Sequence, residues 1–214
     1  MGAYFITGTG TGVGKTFTTC ALMHAKRARG LKPIISGWDD ADMLSDTAQM
    51  ITAAGGRARV EDISPWRFAA PLSPHRAAAL ENQAVDMQRL IAWSKTQAQQ
   101  GGLTLIEGVG GVMVPLNDHD TVLDWMAALG LPVILVTGSY LGTISHTLTA
   151  LSVIRARGLE VRALVMNESA GSTVTLAEAQ AGLAPFIRDI PLRITQPLVS
   201  SWKLAKAIQA MEID

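Results

Sequence analysis

The stretch GTGTGVGKT, Gly8–Thr16, places four glycines in nine positions and ends on a lysine and a hydroxyl. It follows the apolar run YFIT (4–7) and leads into FTTCALMHAKRARG, a segment with helical spacing at Phe17, Cys20, Ala21, Ala25 and Ala28. A loop between the end of a strand and the start of a helix presents unpaired backbone N–H groups, and glycines let it wrap closely around an anion. Lys15 supplies a point charge for phosphate oxygens, and Thr16 a hydroxyl suited to a magnesium ion. The usual phosphate loop has four residues between its first glycine and the Gly-Lys pair. Here Thr9 takes that first position and Gly8 lies one residue further back, so the motif reads as a variant.

Outward from this loop, apolar strands alternate with helices. Strands are expected at 32–35, 103–108, 132–138, 161–167 and 189–192. Helices are expected at 15–29, 45–55, 75–82, 85–100, 121–130, 142–158, 174–182 and 203–211, with an irregular loop over 56–74. Fully apolar strands in this order imply an α/β fold, a mostly parallel sheet with helices on both faces. The 214 residues suffice for one buried core, and one phosphate-loop domain over 1–214 is the economical reading.

Composition narrows the function classes. Apolar residues make up 48% of the chain and charged residues 17%, as in a globular protein. Lysine plus arginine equals aspartate plus glutamate, 18 each, which argues against a nucleic-acid surface. The first residues lack a basic flank, and LGLPVILV is far shorter than a bilayer span, so a cytoplasmic protein without a membrane partner is expected. Cys20, the single cysteine, reads as a small buried hydrophobe and fits a reducing compartment. His75 and His146 have no metal-ligand spacing, Ser139 in TGSYLG is not in a nucleophile elbow, and the five tryptophans read as packing.

The phosphate site needs partners at strand ends. Glu107 closes the run LTLI just before GVGG, a carboxylate expensive to bury without compensation. Asp46 lies at a helix start, where it serves either a metal or the exposed N–H groups. Lys32 either snorkels to water or stands as a second cation near a transferred phosphoryl group, and Ser36 and Gly37 close the same strand.

With these residues assembled, the chain resembles the dethiobiotin synthetases over nearly its whole length. The likeness runs through YFITGTGTGVGKT, GLKPIISG, SDTAQM, FAAPLSPHRAA, LIEGVGGVMVPL, LPVILVTGSYLGTISHTLTAL and VMNES. The resemblance implies a homodimeric, ATP- and magnesium-dependent enzyme that converts 7,8-diaminononanoate and CO2 to dethiobiotin. It implies Thr11, Lys15 and Lys32 at the reaction centre, and Gly12, Val13, Gly14, Thr16 and Phe17 around the nucleotide phosphates. It further implies Thr16, Asp46 and Glu107 on Mg2+, with Asn167 and Pro191 at the adenine. Ser36, Gly110 and Gly111 would meet the diamine or carbamate, and Leu141, Gly142, Thr143 and Ser145 the substrate carboxylate across the dimer interface. The chain departs from the family at Gly12, and often at Gly10, where an acidic residue is common, and at Ser145, where asparagine is usual. Trp38 follows the SG pair and is positioned to reshape the pocket. Two rivals share the variant loop. One is an amidating synthetase of cobalamin precursors, which draws ammonia from a glutaminase domain. The other is a nucleotide-switched partitioning ATPase, whose relatives often carry a lysine near the loop's beginning.

Overall fold

The computed structural model describes residues 2–195. Its elements in chain order are β1 (Gly2–Gly8), α1 (Lys15–Lys26), β2 (Arg29–Leu31), β3 (Ile34–Ser36), α2 (Asp46–Ala53), α3 (Val60–Ile63), β4 (Trp66–Phe68) and α4 (Pro74–Leu80). There follow α5 (Met87–Ala98), β5 (Leu103–Glu107), α6 (Val122–Leu129), β6 (Val133–Gly138), α7 (Thr143–Ala156), β7 (Val161–Asn167), α8 (Leu176–Leu183), a 3-10 turn at Ala184–Phe186 and β8 (Leu192–Thr195). Six strands form one parallel sheet in the order β2-β5-β1-β6-β7-β8, and β3 and β4 pair as a separate parallel ribbon.

Successive side chains of a strand point to opposite faces, and each face of this sheet builds its own core. Phe5, Ile106, Leu135 and Leu164 pack with residues of α5, α6, α7 and α8. Tyr4, Ile6, Leu105 and Val165 pack instead with Leu22 and Met23 of α1 and Met50 of α2. Phe5 meets the fully buried Trp125 edge-on, centroids 4.8 Å apart, a pair worth roughly 0.5–1.5 kcal/mol beyond area burial. The Trp125 indole N–H donates to Ser94 Oγ at 3.1 Å, so its one polar atom is satisfied. β1 lies between β5 and β6, and its crossover through α1 runs to β2 while that from β5 runs to β6. The crevice at the carboxyl ends of β1 and β5 is therefore where an open parallel sheet accepts ligands.

The expected α/β class holds, and the departures have local causes. The helix drawn to residue 29 stops at Lys26, because Arg27 turns left-handed at φ 53. Gly30 is a strand residue and not a helix stop: a Cβ there would lie 2.3 Å from Met23 Sδ, so the glycine lets β2 sit against α1. The single strand drawn at 32–35 is interrupted at Lys32-Pro33. Lys32 N–H donates to Ile63, Pro33 has no N–H, and its carbonyl accepts from Trp66, so the chain leaves the main sheet there. The loop drawn over 56–74 holds two short elements, α3 and β4. The last strand begins at Leu192, because Pro191 only lends its carbonyl to Leu164 N–H. The helix expected at 203–211 lies outside the described residues.

Among described helices of eight or more residues, α2, α5, α6 and α8 are capped by their own side chains, Ser45, Asp86, Thr121 and Thr175. The other two, α1 and α7, open on Gly14 (φ 89) and Gly142 (φ 97) with no side-chain cap. Their first N–H groups are thus left to be satisfied from outside the helix.

Candidate active site

The loop after β1 and the end of β5 meet beneath a cleft of about 840 Å³. Thr11, Gly12, Gly14, Lys15, Thr16 and Phe17 line its phosphate-loop side. Lys32, Ser36, Asp46 and Gly110 line it from other elements. The sequence-expected centre is therefore assembled in one place.

Glu107 is its hub. The carboxylate is fully buried at the end of β5, paired in register with Ile6 of β1. Its Oε1 accepts from Thr16 Oγ1 at 2.8 Å and from Lys32 Nζ at 2.8 Å, and its Oε2 accepts from Thr19 Oγ1 at 2.6 Å. Thr19 escaped sequence reasoning; the signal available was its position three residues after Thr16, on the same face of α1. Lys32 does not snorkel. Only 4% of it is exposed, and its ammonium also reaches Asp46 Oδ2 at 2.5 Å.

Two carboxylates and two ammoniums thus balance within the site. Burial acts to lower the Lys32 pKa, but the charges of Glu107 and Asp46 outweigh it and hold the group up. Burial acts to raise Asp46, and Lys32 with Thr16 carries it below the usual carboxylate range. Lys15 has no such partner at hand. Burial first, then repulsion by Lys32, lowers it to about 8, and its Nζ folds back to donate to the Gly10 carbonyl at 2.8 Å. Cys20 is half-buried rather than buried, and burial with the nearby Glu107 charge pushes its thiol up to about 12.

The remaining expected residues divide. Ser36 Oγ is buried, lacks any hydrogen-bond partner, and belongs to a residue lining the cleft, a placement suited to a polar ligand. Gly12 has φ 74 and open space where a Cβ would stand, so the acidic residue common in the family would be strained here. Val13 is buried beneath the loop instead of lining the cleft. Gly111 does not face the cleft either: a Cβ there would lie 3.3 Å from the Thr9 carbonyl, so it packs on the phosphate-loop backbone. Asn167 sits beside Gly14, with Nδ2 donating to the Val13 carbonyl at 2.7 Å and Oδ1 accepting from Thr195. Pro191 lies against Leu164, three residues before Asn167 on β7, so the two expected adenine contacts are apart.

The carboxylate segment stands outside the cleft. Leu141 is 85% exposed and Ser145 is exposed at the start of α7. Thr143 is buried, its hydroxyl donating to Gly138 O at 2.5 Å and its N–H to Tyr140 O, so neither is free for an anion. A hydroxyl chain links this segment to the phosphate loop. Thr9 Oγ1 bonds Thr137 Oγ1 at 3.2 Å and Tyr140 OH at 3.1 Å, and Thr137 bonds Thr143 at 3.0 Å. Trp38 stacks with the Arg67 guanidinium, 5.4 Å from its ring centroid, and is not among the cleft-lining residues.

Residues 2–193 match the family model described as an AAA domain. The chain is 46% identical to the ATP-dependent dethiobiotin synthetase BioD of Caulobacter sp. (strain K31), over 94% of this chain and 90% of that protein. It is 47% identical to the enzyme of that name from Phenylobacterium zucineum (strain HLK1), over 86% of this chain and 87% of the other. The chain belongs to the dethiobiotin synthetase family. By fold it resembles the septum site-determining protein MinD with Mg-ADP from Pyrococcus horikoshii OT3, with TM-score 0.56, 16% identity, and 96% of this chain and 86% of that one covered. A ParA family ATPase from Chlorobium tepidum TLS aligns with TM-score 0.53 and 13% identity, over 99% of this chain and 92% of that one. The partitioning rival thus shares architecture, while sequence identity favours the ATP-dependent synthetase over both rivals.

Proposed function

We propose that this chain performs the dethiobiotin synthetase reaction as one phosphate-loop domain, with the buried Glu107 hub organising the phosphoryl-transfer centre. The observation that carries this reading is the convergence of Thr16, Lys32 and, through Lys32, Asp46 on Glu107 at the foot of the cleft. The uncapped N-terminus of α1 lies alongside it.

The chemistry asks the protein for orientation and charge neutralisation. One amine of 7,8-diaminononanoate takes up CO2 and releases a proton, giving a carbamate. A carbamate oxygen attacks the γ-phosphorus of ATP, and ADP leaves. The second amine then displaces phosphate from the mixed anhydride and closes the cyclic urea. The N–H groups of α1 and its loop face the phosphate oxygens, and Lys15 leaves the Gly10 carbonyl to neutralise them. Lys32 offers its charge to the carbamate and the transferred phosphoryl group. Ser36 donates to the diamine or carbamate, and Gly110 lends its backbone beside it. Asn167 braces the loop through its amide donors, which go to the Val13 and Gly14 carbonyls, and reads the adenine with the second lone pair of its Oδ1.

The donor set of two carboxylates and a hydroxyl fits magnesium, a hard cation that prefers oxygen ligands. Thr16, Asp46 and Glu107 are the residues to hold it, and it would supply charge neutralisation on the phosphates. The α7 segment is read as the substrate-carboxylate site of a neighbouring subunit, which makes the working unit a homodimer. The exposed Leu141 fits an interface residue. No helix among the described residues is long and apolar enough to cross a membrane. A cytoplasmic location is read from the family.

The test is incubation with ATP, Mg2+, bicarbonate and the diamine, followed by mass analysis. Dethiobiotin and ADP in equal amounts are expected. Folded, ATP-binding protein that yields no cyclic urea removes the assignment.

A further inference from the structure

We infer that Lys32 is a resident counter-ion of the metal-binding carboxylates, one that excludes divalent cations until a polyphosphate enters and thereby couples metal binding to nucleotide binding. The inference rests on the reading of Thr16, Asp46 and Glu107 as the metal ligands.

Geometry carries the argument. Asp46 Oδ2 and Glu107 Oε1 both lie on one ammonium, at 2.5 and 2.8 Å. The same Oε1 takes the Thr16 hydroxyl. The protein ligands expected of a metal are therefore already turned onto Lys32 Nζ. An ammonium and a divalent ion sharing these oxygens would stand a few ångströms apart, where repulsion in a poorly solvated site is strong.

Charge decides the order of events. Lys15 and Lys32 balance Asp46 and Glu107, and three of the four residues are at most 6% exposed. A divalent cation entering alone would leave this buried site with two uncompensated positive charges, which is unfavourable. Entering with a triphosphate, it brings an excess of negative charge, and the displaced ammonium finds an anion. Lys32, Ser36 and Lys15 line the same cleft, so Nζ can turn from the carboxylates to that anion without crossing the core. A flexible stem with a point charge suits such a transfer better than the planar fork of arginine. Lys32 thus holds the two carboxylates in place and afterwards delivers charge to the reacting groups.

The probe is Mn2+, titrated into the nucleotide-free full-length protein and followed by electron paramagnetic resonance. Lys32→Met is expected to bind Mn2+ at least about tenfold more tightly than the wild type. In a second measurement, calorimetry of β,γ-methylene-ATP binding with and without Mn2+, the wild type should gain about tenfold or more from the metal, and the variant less. Equal Mn2+ affinity of variant and wild type overturns the proposal. So does a wild-type nucleotide affinity indifferent to Mn2+. If circular dichroism shows that Lys32→Met does not fold, Lys32→Gln keeps a donor for the carboxylates without the charge and answers the same question. Glu107→Gln separates the underlying reading. Unchanged metal enhancement of nucleotide binding in that variant refutes the metal assignment, while its loss beside an unresponsive Lys32 variant refutes only the counter-ion role.

Discussion

The helices α1 and α7 begin alike and end up in different surroundings. Each follows a buried strand, each opens on a positive-φ glycine, and neither carries a side-chain cap. At α1 the open N–H groups face a cleft that the same chain completes with Lys15, Lys32 and Asp46, the first two standing over or beside the buried Glu107. At α7 the first turn looks outward beside Leu141, 85% exposed, and Ile144, 36% exposed. On the proposed reading, one polypeptide supplies the phosphoryl-transfer centre, while a carboxylate site at α7 would need a second surface to enclose it. The two are not independent, because the Thr9, Thr137 and Tyr140 hydroxyls tie the phosphate loop to the start of α7.

The largest effect is expected at α1. Lys15→Ala should lower kcat by about 10²- to 10³-fold, the scale set by losing one donor aimed at developing charge. Circular dichroism should be unchanged, because among the described residues the Lys15 ammonium makes one hydrogen bond, to the Gly10 carbonyl. Full retained activity would take Lys15 out of the reaction. At α7, if the proposed homodimer forms through this segment, Leu141→Asp should give a monomer in sedimentation and raise the diamine KM about tenfold or more, with nucleotide affinity unchanged. A monomeric variant with unaltered KM would show the α1 cleft to be self-sufficient.

A smaller effect is expected where the loop meets β7. Asn167→Ala removes the donor to the Val13 carbonyl and the acceptor for Thr195, and should weaken nucleotide binding about five- to tenfold by calorimetry, for net hydrogen-bond losses near 1 kcal/mol. Binding as tight as in the wild type would reduce Asn167 to packing against Gly14.

The smallest signal is a fraction of a proton. Lys15 is lowered from 10.5 to about 8, so between those values the unfolded chain holds a proton that the folded chain has lost. Its contribution to stability therefore rises with pH across that window. A bound triphosphate restores the charged form, so nucleotide binding near pH 9 should take up part of a proton. Binding enthalpies measured in buffers of different ionisation heat give that number. A zero slope would place Lys15 away from the phosphates.

Legibility followed the range of the interaction. The phosphate loop was readable because strand, glycine turn and helix start are contiguous, and the order of apolar strands gave the parallel sheet. Glu107 was readable because a carboxylate interrupts an apolar run. The helix expected over 15–29 ran past its true end because Gly30, next in the chain, looks locally the same whether it stops a helix or lets a strand touch Met23. Gly111 and Val13 turn their Cβ positions toward protein, so a ligand would meet only their backbone, a distinction that residue type alone does not carry. Thr19 went unnoticed because its partner lies 88 residues away.

By itself the sequence determined the α/β class, the phosphate loop and the identities of the charged residues that gather beside it, because periodicity, glycine and charge act over a few residues. Only the tertiary structure decided that Lys32 is buried between Asp46 and Glu107. Pro33 diverts the chain from the main sheet just after Lys32, and a packed interior then sets that ammonium where two distant carboxylates converge. Electrostatic pairing of this kind depends on distances through space, which chain order does not encode.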